Sequence, residues 1–197
     1  MSAMFANCYA LKNVDVSSFD TSSVGDMNSI FYNCSSLTSL DFSGLDFHTM
    51  SVIGEIFNGA SNLLSVNLSK TKFSSVTTLY GLLGGASAVK TLNLSGADFS
   101  SVTDISSDFA VGNTALESIN LSGVNFSSLT KAQAMFNSCS VLETVDFRGI
   151  DTSKLTNSSS VFNNVKGAKI YVSSNTDKTN IENMLTASSA SANVLVK

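Results

Sequence analysis

One feature constrains this chain more than any other: a single pattern of residues returns every 26 residues from the first methionine. A unit this short cannot bury an apolar face alone, whereas stacked units share one continuous core. The repeat therefore predicts a solenoid of six to seven coils. The fifth unit is one residue longer than the others, and the units begin at Met1, Met27, Ile53, Leu79, Ile105 and Ala132, with a partial seventh at Ser158.

The apolar spacing within a unit predicts two elements. Met27, Ile30, Phe31 and Cys34 fall at i, i+3, i+4 and i+7, which is typical of one face of a helix of about two turns. Further along each unit, apolar residues alternate with polar ones, as a short strand with one buried face requires. We therefore expect short parallel strands on one side of the solenoid, short helical turns on the other, and a sheet about 30 Å long at about 4.8 Å per strand.

A column of phenylalanines occupies one equivalent place in the four middle coils: Phe47, Phe73, Phe99 and Phe126. The outer coils have Thr21 and Thr152 there. We interpret the column as a stacked aromatic spine inside the core, because an exposed aromatic ladder would promote association. The alternative is an exposed aromatic strip that binds a ligand.

The repeat pattern ends near residue 168. We assign residues 1–168 to the solenoid and residues 169–197 to a C-terminal cap that closes its open core. The cap is predicted to contain a strand over 169–172, a helix from Asn175 or Thr176 to about Thr186, and a last strand over 194–196. The N-terminus has no such cap, so we expect the chain to be a fragment or end piece of a longer protein.

Several segments carry a family resemblance that extends from residue 1 to about 165. MFANCYALKNVDVSSFDTSSVGDM, IFYNCSSLTSLDFSGLDF and MFNSCSVLETVDFRGIDTSKLTN resemble the units of the BspA-like leucine-rich-repeat family, including its mycoplasma-type surface lipoproteins. The resemblance implies an α/β leucine-rich-repeat solenoid. It also implies a secreted or surface-anchored microbial protein that acts in adhesion or host interaction, and hence an extracellular or cell-surface location.

The central coils depart from that family pattern. The Asn-Cys pair is replaced by Gly59-Ala60, Gly85-Ala86 and Gly112-Asn113. The aspartate of the strand becomes asparagine in the same three coils, at Asn67, Asn93 and Asn120. The surface of the central coils is therefore particular to this protein.

Composition excludes several function classes. The net charge is -4, only 13% of residues are charged, and no basic cluster is present, so we expect no nucleic-acid partner. No apolar run approaches the roughly 18 residues of a membrane span. There is one histidine, no GxSxG motif surrounds a serine, and the glycine-rich stretch 81–85 lacks the lysine of a phosphate loop. We therefore predict neither an enzyme nor a cofactor.

Cysteine and histidine give little support for a metal site. Cys8, Cys34 and Cys139 share one column 26 residues apart, a spacing unlike that of zinc ligands, and we predict buried thiols that pack in the core. A bridge between Cys8 and Cys34 in adjacent coils stays open. His48 is expected to be an ordinary surface histidine.

Candidate ligand-binding residues lie at the outward positions of the strands, which form columns on the concave face of a solenoid. Small hydroxyls occupy one column and Asp or Asn the other. Arg148 adds a charge at one end. The candidates are Ser39, Ser65, Thr91, Ser118 and Thr144 in the first column and Asp15, Asp41, Asn67, Asn93, Asn120 and Asp146 in the second.

A further column follows the strands: Asp20, Asp46, Asp98, Asn125 and Asp151. Adjacent carboxylates about 5 Å apart repel unless they are solvated or bridged by a cation. We favour hydrogen-bonded Asp/Asn turns in this column and assign no metal, because no acidic loop of known calcium type is present.

These observations favour a non-enzymatic binding or adhesion module that presents a polar sheet to a protein or glycan ligand. The charged residues expected to give this surface its preference are Lys12, Lys90, Glu117, Glu143 and Arg148. Two alternatives stay open: a structural spacer without a ligand, and an ice-binding solenoid, for which the expected Thr-x-Thr ladder is missing. The identity of the ligand and the oligomeric state do not follow from the sequence.

Overall fold

The computed structural model describes residues 1–79, 82–106 and 109–197, so Gly81 of the glycine-rich stretch lies outside the described residues. Within them the chain forms one seven-stranded parallel sheet whose strand order follows the chain. This confirms the predicted solenoid. The strands are β1 (Ser39–Asp41), β2 (Ser65–Asn67), β3 (Thr91–Asn93), β4 (Ser118–Asn120), β5 (Thr144–Asp146), β6 (Lys166–Val172) and β7 (Ser191–Val196).

The strand register follows directly from the repeat. Leu40 pairs with Val66, and Val66 pairs with Leu92, so equivalent residues lie side by side. The middle residue of each of the five three-residue strands is buried and its two neighbours face away from the core. A shift of one residue would expose the apolar column, which fixes the register.

Two further ladders of parallel bridges join the coils outside the main sheet. One runs through Asp46, Lys72, Asp98 and Asn125, and the other through Val52, Thr78, Asp104, Lys131 and Asn157. The backbone of the central coils is therefore tied to neighbouring coils at both ladders as well as in the main sheet. This arrangement satisfies backbone groups that would otherwise lie unpaired in the connecting loops.

The segments opposite the sheet are successive turns, so the predicted two-turn helix is wrong. In residues 27–34, N–H groups alternate between closing a turn within the coil and bonding to the next coil. Phe31 donates to the carbonyl of Ile56 at 3.2 Å, and Asn33 to that of Asn58 at 2.8 Å. An α-helix would need those N–H groups for its own i−4 carbonyls, and the positive φ of Asn33, 57°, is incompatible with one.

Close stacking of these turns explains one departure from the family pattern. Gly59 stands in the column that contains Asn33 in the preceding coil. Its φ is +80°, and an added Cβ would meet the side chain and backbone of Asn33. Glycine is therefore the residue that fits there.

The first coil forms no strand, although the sequence predicted one over 11–16. Leu11 and Val14 are only partly buried, and they pack against the core from its end. The backbone link to β1 includes a bond from the Thr38 N–H to the Lys12 carbonyl at 3.2 Å. Among the described residues this coil has a neighbouring coil on one side only. It therefore lacks backbone hydrogen bonds on its other side, which in the later coils help to hold the strand in a regular conformation.

The phenylalanine column is a buried spine, as predicted. Phe47 and Phe73 stack with ring centroids 5.2 Å apart, Phe73 and Phe99 at 5.0 Å, and Phe99 and Phe126 at 5.6 Å. All four side chains are buried. Thr21, in the coil before the spine, is also buried and donates to the carbonyl of Asp46 at 2.7 Å.

The end of the chain forms a strand, a helix and a strand: β6, α1 (Asn175–Ala187) and β7. Both strands begin three residues earlier than the apolar pattern predicted. Ser174 caps α1 by accepting the N–H of Asp177 at 3.1 Å, and Ile181, Met184 and Leu185 face the core. Within the described residues no helix is long and apolar enough to span a bilayer.

Candidate binding surface

The predicted site residues form two rows on the solvent-facing side of the sheet. Pairing of β1 through β5 aligns the small hydroxyls from Ser39 to Thr144 in one row, which we call the hydroxyl row. The same pairing aligns Asp41, Asn67, Asn93, Asn120 and Asp146 in a second row, the Asx row. Asp15 occupies the equivalent place in the first coil, outside any strand.

Each residue of the Asx row is held by the turn that follows it. The Asp41 Oδ1 accepts the N–H of Ser43 at 2.8 Å, and Asn93 Oδ1 accepts that of Ser95 at 3.1 Å. The same bond recurs at the other positions of the row, including Asp15. One side-chain atom is thus committed to the fold, and the second is directed by that bond toward solvent or a neighbouring coil.

These bonds also lower carboxyl pKa values. The backbone N–H and hydroxyl of Ser17 lower the pKa of Asp15. At Asp41, burial acts to raise the pKa, but hydrogen bonds from Ser43 and Asn67 outweigh it and leave the pKa below its usual value. Asp15 and Asp41 are therefore carboxylates at neutral pH.

The second polar atom of each Asx-row side chain, which the turn does not use, has different partners in different coils. Asn67 donates its Nδ2 to Asp41 Oδ2 at 3.1 Å. The Nδ2 groups of Asn93 and Asn120 have no partner among the contacts of the described residues. The centre of the surface therefore presents two amide donors one coil apart, with the hydroxyls of Thr91 and Ser118 alongside.

Two ion pairs lie beside the two rows. Arg148 makes a bidentate contact with Asp146, with distances of 2.9 Å from Nε to Oδ1 and 2.6 Å from Nη2 to Oδ2. At Asp146 burial acts to raise the pKa, yet the bonds and charge of Arg148 outweigh it and lower the pKa. Lys90 and Glu117 form a second ion pair at 2.8 Å, beside the hydroxyl row.

Two residues of this surface were missed by the sequence analysis. Lys169 pairs with Thr144 and Tyr171 pairs with Asp146, so β6 extends both rows. The Lys197 Nζ lies 4.3 Å from the centre of the Tyr171 ring, a cation–π distance. The alternation in Lys169-Ile-Tyr-Val172 carries the signal that could have placed both residues on the outer face.

The third column, Asp20, Asp46, Asp98, Asn125 and Asp151, is a ladder of turns, as predicted. Asp98 Oδ1 accepts the Ser100 N–H at 3.1 Å and the Asn125 Nδ2 at 2.9 Å. Lys72 occupies the column in the third coil and donates to Asp46 Oδ2 at 3.0 Å. Lys72 and Asn125 thus separate Asp46, Asp98 and Asp151, whereas Asp20 and Asp46 lie in adjacent coils. Within the described residues no group of three or more His, Cys, Asp or Glu is arranged to hold a metal.

His48 has a carboxylate partner that the sequence analysis did not recognise. Its Nδ1 lies 2.7 Å from Asp46 Oδ1, and half of its side chain is exposed. Hydrogen bonds from Lys72 first, and from His48 second, lower the pKa of Asp46 to about 2. Because an Asp two residues before a histidine shares its turn, this spacing is the signal that could have indicated the pair.

The cysteine column is only partly as predicted. All three thiols are free, and Cys34 and Cys139 are buried, but Cys8 is exposed. The prediction for Cys8 is wrong because within the described residues no coil precedes the first one to cover it. Cys139 donates to the Ala110 carbonyl at 3.0 Å, and burial raises its thiol pKa to about 12.

Comparison with known proteins gives a family and no function. No curated protein and no solved structure matches the chain. A family model described as "Mycoplasma protein of unknown function, DUF285" matches twice, over residues 1–95 and 83–195. The two matches overlap and together cover almost the whole repeat array and its cap. This chain therefore belongs to the DUF285 family.

Proposed function

We propose that this chain is a non-enzymatic binding module of a microbial surface or secreted protein, and that its repeats are of the BspA-like leucine-rich-repeat type. The ligand is a protein or glycan that lies across the solvent-facing sheet. The observation that carries the proposal is the Asx row, in which each turn holds one polar atom and, at Asn93 and Asn120, leaves the amide group of the side chain free to contact a ligand. Such a surface loses little conformational entropy on binding.

The chemistry of the central coils narrows the kind of contact. Asn93 and Asn120 offer amide donors, while Thr91 and Ser118 offer hydroxyls that both donate and accept. No charged residue belongs to these two rows between Asp41 and Asp146. A ligand seated here therefore presents carbonyl or hydroxyl oxygens to the centre of the sheet and places its charged groups toward Arg148, Lys169 or Lys90.

The test uses a substitution that changes the outward atom and keeps the turn. Asn93→Asp and Asn120→Asp retain Oδ1 as the turn acceptor, as Asp41 and Asp146 do naturally in the same row. Each replaces an outward N–H donor with a negative oxygen. The matched control is Asn175→Asp, which adds the same negative charge at an exposed position at the start of α1, away from the sheet.

The purified domain is applied to arrays of extracellular-matrix proteins, host-cell surface proteins and glycans. We expect at least one ligand that the wild type and Asn175→Asp bind, and that the double variant Asn93→Asp with Asn120→Asp loses. If the double variant still binds that ligand, the binding site does not lie on the central part of the sheet. The absence of any ligand across the arrays would favour the spacer alternative.

A further inference from the structure

A groove at the cap lies apart from the solvent-facing sheet. It has a volume of about 460 Å³ and runs between the loop 152–159 of the sixth and seventh coils and one side of α1. Its volume is within the range of about 300–1,000 Å³ that small-molecule sites occupy. Nothing in the sequence pattern predicted it, because its two walls come from the repeat array and from the cap.

The lining of the groove is apolar in part and otherwise uncharged. Leu155, Met184 and Ala187 supply apolar contacts, and Met184 and Leu155 also pack on the core. The polar lining consists entirely of asparagine, serine and threonine side chains. A charged ligand would find no opposite charge among these residues, whereas a neutral one avoids that cost.

One wall of the groove is held in place by a hydrogen-bond network. Asn180 donates its Nδ2 to Thr152 Oγ1 at 3.0 Å, and that hydroxyl donates to Asp177 Oδ1 at 2.9 Å. The other Asp177 oxygen accepts from Ser174 at 2.6 Å, so this carboxylate is already engaged. The Asn180 Oδ1 accepts no bond within the described residues, and is oriented by the bond that its Nδ2 makes.

We infer that this groove binds one neutral saccharide unit. Sugar hydroxyls both donate and accept hydrogen bonds, and asparagine, serine and threonine side chains do the same. The apolar C–H face of a pyranose ring would pack against Leu155 and Ala187, with the buried Met184 at the floor of the groove. Asn180 Oδ1 and the exposed amide of Asn183 are positioned to contact the hydroxyls on its rim.

Methionine methyl NMR tests this inference at one atom. The chain has 6 methionines, and Met184 is the one in the groove lining. Its signal is assigned with Met184→Leu. Titration with glucose, galactose, mannose, N-acetylglucosamine, trehalose and sucrose should shift the Met184 methyl in a saturable way with at least one sugar, while the other methionine methyls stay in place.

Two variants distinguish sugar binding in the groove from a general effect of substitution in α1. Asn183→Ala should weaken binding about five- to tenfold, as loss of one hydrogen bond predicts. Asn175→Ala, the same substitution at the start of the same helix and outside the groove, should leave it unchanged. Thermal unfolding of each variant shows whether the cap is still folded.

Three outcomes would overturn the inference: no shift of Met184 with any sugar at about 10 mM, equal shifts with glucuronic acid or glucosamine, or an equal loss with Asn175→Ala. The sheet variant Asn93→Asp should titrate as the wild type does. Failure of this inference and failure of the proposed function are therefore read from different experiments.

Discussion

The phenylalanine spine allows a quantitative test of the stacked-coil architecture. Phe73 and Phe99 lie in adjacent coils with centroids 5.0 Å apart and ring planes within 10° of parallel. Phe47 and Phe126 belong to the same column but lie three coils apart, about 14 Å at the strand spacing of a parallel sheet. In a solenoid each coil contacts only its neighbours, so coupling between residues should be limited to adjacent coils.

Substitution by leucine keeps these positions apolar and limits the cavity. Phe99 stacks on two rings, those of Phe73 and Phe126, whereas Phe126 stacks on the ring of Phe99 alone among the described residues. Each lost stacking contact is worth about 0.5–1.5 kcal/mol beyond its area. We therefore expect Phe99→Leu to cost about 1–3 kcal/mol and Phe126→Leu about half as much.

Urea unfolding of the single and double variants measures the coupling directly. The pair Phe73→Leu and Phe99→Leu removes one shared contact, so its double-mutant cycle should give a coupling of about 0.5–1.5 kcal/mol. The pair Phe47→Leu and Phe126→Leu should be additive within about 0.5 kcal/mol. The comparison requires unchanged m-values, because loss of two-state unfolding would alter them. Equal coupling in both pairs would refute the nearest-neighbour argument.

Two other properties can be checked in solution. The pKa of Asp46 is lowered to about 2, so the stability that its carboxylate contributes is fully present above the unfolded pKa of about 4 and is lost as the pH falls through about 2. The difference in unfolding free energy between wild type and Asp46→Asn should therefore shrink as the pH falls from about 4 to about 2. A difference that persists below a pH of about 2 would contradict the assignment. A maleimide should label the native protein at Cys8 and spare Cys34 and Cys139, which should react only after unfolding; mass spectrometry of tryptic peptides distinguishes the three thiols.

The repeat was sufficient to predict the sheet because its signal is long-range and periodic. The alternation around Leu40, Val66 and Leu92 sets which side is buried, and the constant interval sets the register. The opposite segments gave the same apolar spacing as a helix, but spacing reports only which residues are buried. It does not report whether the N–H of Phe31 bonds within its own coil or to the next one.

The sequence predicted where the candidate site lies, but not which side-chain atoms of its residues are engaged in hydrogen bonds. Outward alternation correctly placed Ser39 to Thr144 and Asp41 to Asp146 in two rows. The turn bonds that commit one oxygen of each Asx residue depend on backbone conformation after the strand, which alternation does not encode. The cap groove depends on how α1 packs against the loop 152–159, a contact between segments with no shared pattern.

The Asx row suggests how this fold changes its surface without changing its coils. Aspartate and asparagine have the same Oδ1, and that atom accepts the turn N–H equally at Asp41 and Asn93. The second atom is a negative oxygen in one and an amide donor in the other. Because only the first atom is required by the turn, an exchange between the two residues alters the chemistry of the solvent-facing surface at little structural cost. The fold therefore does not dictate the amide-rich centre of this sheet between its two acidic flanks.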